Sequence, residues 1–407
     1  MSLLRLTGRA KARGPFRFLA LILHSIRMSS APRHFPALDG LRGLAVVLVM
    51  LSHFLTAGHV LDPAQPCARL LLGGFVGVDL FFVLSGFLIT GILLDAPADN
   101  HGRFFVTFYG RRALRILPLY YAALTIAFFC QPMPGNDSPA WYWLLSSNLG
   151  ATLKSRWLES PEGFSLAHFW SLAVEEQFYL VWPFLVRFLK RPILGKLCLA
   201  LLIVGPVAHF ALHFGGNPVG AYLFTPVRLH TLAAGAWLAI AFRRPALWET
   251  LARFAPWVAA PAGAITVMGL LFPQNLSLVP FGPFLWGAVL ILALSPGSRW
   301  ATVLERPLPR LFGKFSYGLY VWHYFANPWL KGPVYEEIAR FTGHGGALSL
   351  AVFVIFAFVF SFAVSLFSWW LLEKPCLTLK RYFRYGAAPS RPALTDNFSR
   401  FSSDNLS

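Results

Sequence analysis

Apolar runs of roughly membrane-spanning length alternate with short polar segments along the chain. A helix needs roughly 20 mostly apolar residues to cross a bilayer, and Gly or Pro inside such a run is tolerated there. The pattern predicts an all-α, polytopic membrane bundle of about ten helices. The predicted spans cover residues 38–58, 72–94, 114–130, 168–188, 193–212, 222–241, 255–272, 281–297, 315–330 and 347–371.

The composition supports a membrane protein and excludes other classes. Of the 407 residues, 56% are hydrophobic and 13% are charged, with a mean hydropathy of +0.57. Soluble domains are about a quarter charged, and a disordered chain lacks this much apolar surface. The four cysteines are scattered without metal-ligand spacing. We read them as isolated small apolar residues and expect no metal.

The basic residues indicate the topology of the bundle. The net charge is +18, from 35 Lys and Arg against 17 Asp and Glu. With a cytoplasmic N-terminus, 28 of the basic residues fall on cytoplasmic segments, 5 on outer loops and 2 inside spans. Because short cytoplasmic loops are enriched in Lys and Arg, both termini are predicted to be cytoplasmic. The charge then needs no nucleic-acid partner.

The two ends of the chain differ from the apolar body. Residues 1–35 form a predicted basic cytoplasmic lead-in, in which Met28 is an alternative to Met1 as the start. A short apolar run there lacks the small-residue cleavage site of a signal peptide. We expect a transmembrane domain over residues 36–384 and a disordered, polar cytoplasmic tail over residues 385–407.

The first predicted span carries two ionisable side chains, Arg42 and His53. At 100° per residue, a separation of eleven residues brings them to nearly the same helix face, about 16 Å apart along the axis. Ionisable groups inside a bilayer are costly, so they are candidates for function. Arg42 lies near the cytoplasmic end and His53 in the outer half.

Acidic side chains are predicted at the depth of His53. Asp79 in the second span and Glu175 in the fourth, beside Glu176, lie about two turns from the outer surface, and Ser85 lies near mid-membrane. A carboxylate that orients a histidine is the usual arrangement for a general base. His53 is therefore a predicted base, with Asp79 or Glu175 as its orienting partner. The alternative is a structural ion-pair network that holds the bundle together.

A basic cluster is predicted at the cytoplasmic end of the third span. Arg112 and Arg115 are three residues apart and share a helix face, and Arg42 lies at a similar depth. Guanidinium groups bind phosphates in a bidentate manner, which makes the three residues a candidate phosphate site. Simple anchoring by the positive-inside rule is the competing explanation.

Further polar candidates are scattered through the spans. They are Ser171, Arg228, Tyr320 and His323. The loop over residues 131–167, the longest between spans, holds Trp141, Trp143 and Trp157. Aromatic faces commonly stack on sugars, so Trp141 and Trp143 are predicted to bind an acceptor. A position in the membrane interface would explain these tryptophans equally well.

Six motifs in this order resemble acyltransferase family 3, the membrane-bound bacterial O-acyltransferases of cell-surface glycans. The motifs are "ALDGLRGLAVVLVMLSHF", "GVDLFFVLSGFLI", "YGRRALRILPLYY", "FWSLAVEEQFYLVWP", "SYGLYVWH" and "LEKP", between about Pro36 and Pro375. The family's pattern of Arg, ten residues, then His falls on Arg42 and His53. Its Arg-x-x-Arg falls on Arg112 and Arg115, and its sixth-span Arg on Arg228.

The resemblance implies a reaction that uses both faces of the membrane. The donor would be acyl-CoA, expected to be acetyl-CoA, on the cytoplasmic side of a bacterial inner membrane. The acceptor would be a glycan or glycolipid on the outer side, within reach of membrane lipid. Some members carry a C-terminal hydrolase-like domain, and here we expect the bundle itself to deliver the acyl group. A proton-coupled transporter or flippase is the alternative, because it too needs buried His, Asp and Glu.

Overall fold

The computed structural model describes residues 35–97, 100–272, 279–295, 297–343 and 345–385. Throughout these residues the chain forms helices and connecting turns, and none of them lies in a β-strand. The predicted lead-in and tail lie outside this part, except for their residues 35 and 385. The all-α fold class is therefore confirmed for the body of the protein.

Among the described residues, ten helices have 13 residues or more, and each overlaps one predicted span. They are α1 (Pro36–Phe54), α2 (Gly77–Asp95), α3 (His101–Cys130), α4 (Phe169–Phe188), α5 (Arg191–Phe214), α6 (Thr225–Ala241), α7 (Pro245–Leu271), α8 (Gly282–Leu294), α9 (Pro307–Phe325) and α10 (Ala347–Ser368). By length and composition, seven helical segments of the described chain are able to cross a membrane. The protein is thus a multi-pass membrane protein, while ten crossings and two cytoplasmic termini stay predictions.

Three long helices, α3, α7 and α9, begin well before their predicted bounds. Helix α3 begins at His101, well before the predicted residue 114. The hydropathy pattern missed its first turns because they carry arginines that lower the local hydropathy. The side chain of Asn100 accepts a hydrogen bond from the backbone N–H of Arg103 at 2.8 Å and caps this polar start. Helix α9 begins at Pro307, where a proline is compatible with the first helical turn, and ends at Phe325.

Short helical segments fill the connections. The α-helical ones are Pro66–Leu72, Ala140–Trp143, Ser147–Lys154, Pro218–Leu223, Arg299–Leu304, Asn327–Trp329, Tyr335–Thr342 and Lys374–Thr378. Ala57–His59, Gly73–Val76 and Leu379–Tyr382 are 3-10 turns, and Leu330–Val334 and Trp369–Glu373 are π-helical. The turn after α9 brings Lys331 to Thr56, to which it donates a hydrogen bond. This contact ties the C-terminal end of α1 to the segment after α9.

Four helices form the centre of the bundle: α1 packs along α9 and against α2, and α2 packs along α6. Glycines allow these backbones to approach closely, as is common between membrane helices. A Cβ on Gly235 of α6 would lie 2.8 Å from the backbone nitrogen of Phe87 in α2. A Cβ on Gly43 of α1 would lie 3.0 Å from the backbone nitrogen of Gly313 in α9. The polar residues of the central helices are thereby held in fixed positions.

Candidate functional site

Two neighbouring cavities lie among the central helices. The first, which we call the arginine chamber, has a volume of about 360 Å³, and the second, the histidine chamber, about 410 Å³. The polar lining of the arginine chamber consists of Arg42, Ser85, Arg112, Arg115, Ser171, Glu175, Tyr179, Ser316, Tyr317, Tyr320 and Lys380. The histidine chamber is lined by Val49, His53, Phe75, Val78, Trp157, Ala167, His168, Trp170, Tyr222, Tyr320 and Tyr324.

The arginine chamber brings together the three arginines that the sequence predicted as a phosphate site. Arg42 comes from the second turn of α1, and Arg112 and Arg115 come from α3. Lys380, in the 3-10 turn after α10, adds a fourth basic side chain. Burial and the nearby arginines lower the pKa of its ammonium group to about 7. Nothing in the sequence singled out Lys380, since it belongs to a basic run that also fits simple anchoring. The three guanidinium groups together with this lysine make the cavity electropositive.

Glu175 faces the arginine chamber, together with Ser85. Its carboxylate interacts electrostatically with Arg42 and Arg112 and lies near Ser85 and Tyr179. The guanidinium of Arg112 also lies over the ring of Tyr179, 5.6 Å from its centroid. The prediction that Glu175 orients His53 is therefore wrong. Glu175 instead partly balances the positive charge of this chamber.

Glu176 lies on the side of α4 that brings it near Glu175 and Arg112. Its Oε1 is buried and has no hydrogen-bond partner among the described residues. A buried carboxylate oxygen without a partner is costly. The sequence motif that contains both glutamates thus places one in the chamber wall and the other beside it.

His53 lines the histidine chamber, whereas the three arginines line the other cavity. The sequence had placed His53 away from the arginines in the same way. Its Nδ1 lies 2.9 Å from Nε2 of His323, and its ring lies 4.1 Å from the ring of Tyr324, centroid to centroid. His168, which immediately precedes α4, also lines the cavity. None of the described residues that line this chamber is acidic. The partner of His53 is thus a histidine, 270 residues away in sequence.

Asp79 has a different role from the one predicted. Its carboxylate accepts a hydrogen bond from Arg228 of α6, and the two side chains form a buried ion pair. The Arg228 guanidinium carbon lies 5.1–5.5 Å from the ring centroids of Phe82, Trp170 and Tyr222. Asp79 therefore does not orient His53. The pair joins α2 to α6, which matches the structural alternative raised by the sequence.

Val78 and Tyr320 line both chambers and form a shared wall. The hydroxyl of Tyr320 lies 2.5 Å from Oγ of Ser171. Each of these two hydroxyls can donate either to the backbone oxygen of His168 or to the other hydroxyl. The ring of Phe81 packs edge-on against Tyr320 at 5.8 Å. Ser171 and Tyr320, both candidates from sequence, thus belong to the boundary between the two cavities.

The tryptophans predicted to bind an acceptor lie outside both chambers. Trp143 stacks on Tyr121 of α3, with 5.8 Å between ring centroids and 11° between planes. Trp141 packs over Gly150, where an added Cβ would lie 2.6 Å from the indole. Trp157 of the same loop is the one that lines the histidine chamber. The structure thus places a different tryptophan of this loop, and neither Trp141 nor Trp143, in the wall of a chamber.

A polar cluster around Asp137 holds this loop in place. Its carboxylate accepts hydrogen bonds from Lys154, from Arg156 at 2.8 and 2.9 Å, and from the backbone N–H of Glu159 at 2.9 Å. Burial raises the pKa of Asp137, but its bonds to Lys154, the Glu159 amide and Arg156 outweigh burial and bring the pKa to about 2. Since Trp157 directly follows Arg156, the cluster positions an aromatic wall of the chamber.

Lys331 is a basic side chain close enough to His53 to act on it electrostatically. Burial lowers the pKa of its ammonium group to about 8. Among the described residues, no group of three or more His, Cys, Asp or Glu side chains is placed to hold a metal ion.

Comparison with known proteins identifies the family. A family model described as an acyltransferase domain, acyltransferase family 3, matches residues 35–370, most of the chain. The chain belongs to acyltransferase family 3. The resemblance found in the six motifs is thus confirmed, and the matched region of this family 3 acyltransferase contains both chambers except for Lys380.

The family 3 acyltransferase is similar to two named O-acetyltransferases. Peptidoglycan O-acetyltransferase OatA of Listeria monocytogenes is 32% identical over 324 residues, which is 72% of this chain and 49% of that protein. O-acetyltransferase OatA of Staphylococcus aureus is 30% identical over 347 residues, 76% of this chain and 54% of that protein. The chain thus spans about half the length of these relatives. No solved structure matches it significantly.

Proposed function

We propose that the protein transfers an acetyl group from acetyl-CoA to a hydroxyl of a cell-wall glycan. The donor binds in the arginine chamber. The described lining of this cavity has one carboxylate, that of Glu175, against four basic side chains, those of Arg42, Arg112, Arg115 and Lys380. The site is therefore net positive and suits a polyanionic ligand. Guanidinium forks match phosphate oxygens in geometry. The phosphates of the coenzyme fit this environment, and the thioester arm extends from it towards the histidine chamber.

The acceptor binds in the histidine chamber. Trp157, Trp170 and Tyr222 supply flat apolar faces in its wall, which suit the faces of a sugar ring. His53 lies in the same wall and supplies the nitrogen that can accept a hydroxyl proton. A glycan acceptor is also supported by the similarity to a peptidoglycan O-acetyltransferase.

The chemistry is a single acyl transfer in which His53 handles one proton. His53 takes the proton of the glycan hydroxyl as the oxygen forms a bond to the thioester carbonyl carbon. The carbon–sulfur bond then breaks, and the departing thiolate receives the same proton from His53. The products are a glycan acetate ester and the free thiol of the coenzyme. General base assistance of this kind contributes roughly 10²- to 10⁴-fold in rate.

The two chambers lie towards opposite faces of a bacterial inner membrane. Arg42 and His53 are eleven residues apart in α1, about 16 Å along the helix axis. We place the arginine end in the cytoplasm, where acetyl-CoA is available, and the histidine end outside. The excess of basic residues on the segments assigned to the cytoplasm supports ten crossings with both termini inside.

The observation that carries the proposal is the shared wall: Val78 and Tyr320 line the cationic cavity and the histidine cavity alike. The test compares a strain that lacks the gene with the same strain carrying wild-type protein or His53→Ala, at matched membrane levels. Acetate released from cell-wall glycan by mild base should appear only with the wild-type protein. Equal release with His53→Ala would overturn the role of His53.

A second measurement separates the enzyme from a transporter of glycan precursors. Purified protein in lipid nanodiscs receives acetyl-CoA and solubilised glycan strands, and release of the coenzyme thiol is followed. We expect thiol release that depends on the glycan and matches the ester formed. Glycan movement across the bilayer without thiol release would contradict the proposed function.

A further inference from the structure

The hydrogen bonds of His323 fix which of its nitrogens carries the proton. Its Nδ1 lies 2.8 Å from the backbone oxygen of Tyr320 and 3.1 Å from that of Leu319, one turn back along α9. Carbonyl oxygens only accept hydrogen bonds, so Nδ1 must be the donor. In a neutral imidazole the other nitrogen is then an acceptor. Nε2 of His323 therefore presents a lone pair.

This assignment passes on to His53. Nδ1 of His53 lies 2.9 Å from Nε2 of His323, and a hydrogen bond between them needs one donor. Since Nε2 of His323 is the acceptor, Nδ1 of His53 must carry the proton. The lone pair of a neutral His53 is then on Nε2.

We propose that His323 is a positioning residue that sets the tautomer of His53, so that Nε2 of His53 is the nitrogen that accepts the hydroxyl proton. The inference rests on the proposed function and adds a residue to it. The backbone of α9 holds His323, and His323 holds His53. Selection of a tautomer requires a hydrogen-bond acceptor at the right place and does not require a negative charge. This is why the chamber can work without an acidic residue in its wall.

The burial of His323 supports this role. His323 has no exposed surface, whereas His53 lines the cavity. The planes of the two rings differ by only 21°, with 5.1 Å between centroids, as expected for a hydrogen bond between ring nitrogens. A fully buried ring bonded to its own helix has little freedom to turn. The acceptor that it offers to His53 is thus fixed before any substrate binds.

The kinetic test uses two variants of the full-length protein in nanodiscs, with acetyl-CoA and solubilised glycan strands. His323→Phe keeps a ring but removes the acceptor, whereas His323→Gln keeps an acceptor oxygen at about the position of Nε2. We expect His323→Phe to lower kcat by between about 10-fold and 10⁴-fold with the KM for acetyl-CoA unchanged. The kcat of His323→Gln should be clearly higher than that of His323→Phe, because the glutamine keeps an acceptor for His53.

His209→Phe is the matched control. His209 is also buried and bonded to a backbone oxygen, that of Ala221 at 2.7 Å, but it lies on α5 and lines neither chamber. We expect it to keep wild-type kcat. A wild-type kcat in His323→Phe, or equal losses in the Phe and Gln variants, would overturn the positioning role.

Nitrogen-15 NMR of histidine-labelled protein tests the tautomer without any activity. The His53 signals are assigned by their loss in His53→Gln. In the wild type, Nδ1 of His53 should be protonated and Nε2 bare, and His323→Phe should give a mixture of tautomers. A wild-type His53 protonated on Nε2 would refute the inference.

The two proposals fail in different ways. Full activity of His53→Ala would remove the base from the proposed function, whatever the NMR result. An inactive His53→Ala together with a fully active His323→Phe would leave the proposed function intact and remove only the role of His323.

Discussion

The guanidinium of Arg228 donates a hydrogen bond to the carboxylate of Asp79, and the two side chains are only 0% and 9% exposed. Two of the remaining Arg228 nitrogens, Nε and Nη1, have no partner among the described residues. Their neighbours are aromatic faces, which attract a cation through their negative quadrupoles. The pair therefore holds α2 against α6 inside an apolar surrounding.

Loss of one member of this pair should destabilise the protein more than loss of both. Asp79→Asn leaves the Arg228 cation buried without a counter-charge, which costs about 3–5 kcal/mol. The double variant Asp79→Leu, Arg228→Met removes both charges and should recover most of that loss. Thermal unfolding in detergent compares the stability of the purified wild type, the single variant and the double variant. A single variant as stable as the wild type would contradict the structural role.

The arginine chamber should distinguish arginine from lysine. In the double variant Arg112→Lys, Arg115→Lys the charge is kept but the bidentate forks are lost. We expect the KM for acetyl-CoA to rise at least about tenfold, with normal membrane insertion. Arg111→Lys is the control, because Arg111 bonds to the backbone oxygen of Phe383 and does not line the chamber. Unchanged donor kinetics in the double variant would reduce the two arginines to topology anchors.

Two tryptophans of one loop should differ in their effect on the acceptor. Trp157→Leu removes an indole from the wall of the histidine chamber. Trp143→Leu removes one that stacks on Tyr121 instead. We expect the first to raise the KM for glycan strands by up to about 10-fold, as for loss of an aromatic stacking surface worth about 0.5–1.5 kcal/mol. The second should leave it unchanged. Equal effects would place the sugar elsewhere.

The loop around Asp137 should loosen in acid. Its pKa of about 2 lies below the ordinary value of 3.8. The stability that the ionised carboxylate contributes is therefore fully present above about pH 4. That contribution is lost as the pH falls through 2. Asp137→Asn should have a melting temperature roughly 2–4 °C below that of the wild type at neutral pH. Near pH 2 the two proteins should melt at nearly the same temperature. A pH-independent difference between the two proteins would exclude the carboxylate as its cause.

Close helix contacts should make Gly235 intolerant of a methyl group. Gly235→Ala places a carbon 2.8 Å from the backbone nitrogen of Phe87, and overpacking costs typically about 1–3 kcal/mol. Gly195→Ala is the control, because nothing lies within 4 Å of a Cβ there. We expect the first variant to lose thermal stability in detergent and the second to match or exceed the wild type. Equal stability of the two variants would contradict the packing of α2 on α6.

The sequence predicted the helices well, because helix formation depends mainly on the local chain. The run of apolar residues located α1, and helix geometry placed Arg42 and His53 on one side of it. Arg42 and His53 indeed line two adjoining cavities. The grouping of Arg42 with Arg112 also followed, since the basic ends of neighbouring helices meet at the same face.

The partners of the buried acidic residues could not be predicted in the same way. Asp79, Glu175 and His53 were predicted at similar depths, but depth does not tell which neighbour each residue faces. That depends on the order of helices around the bundle, which a single sequence does not state. Arg228 of α6 is next to Asp79, and His323 of α9 is next to His53. The pairing of His53 with a carboxylate was therefore wrong, and its role as a base stays a prediction.

The wall shared through Val78 and Tyr320 has a consequence for how the cell modifies its surface. Under the proposed function, only the acetyl group passes from one aqueous side to the other. The coenzyme is never exported, and the glycan is never brought in. The free energy needed comes from exchange of a thioester for an oxygen ester, so neither ATP nor an ion gradient has to be spent outside. The boundary formed by Val78 and Tyr320 then connects cytoplasmic metabolism with the chemistry of the wall.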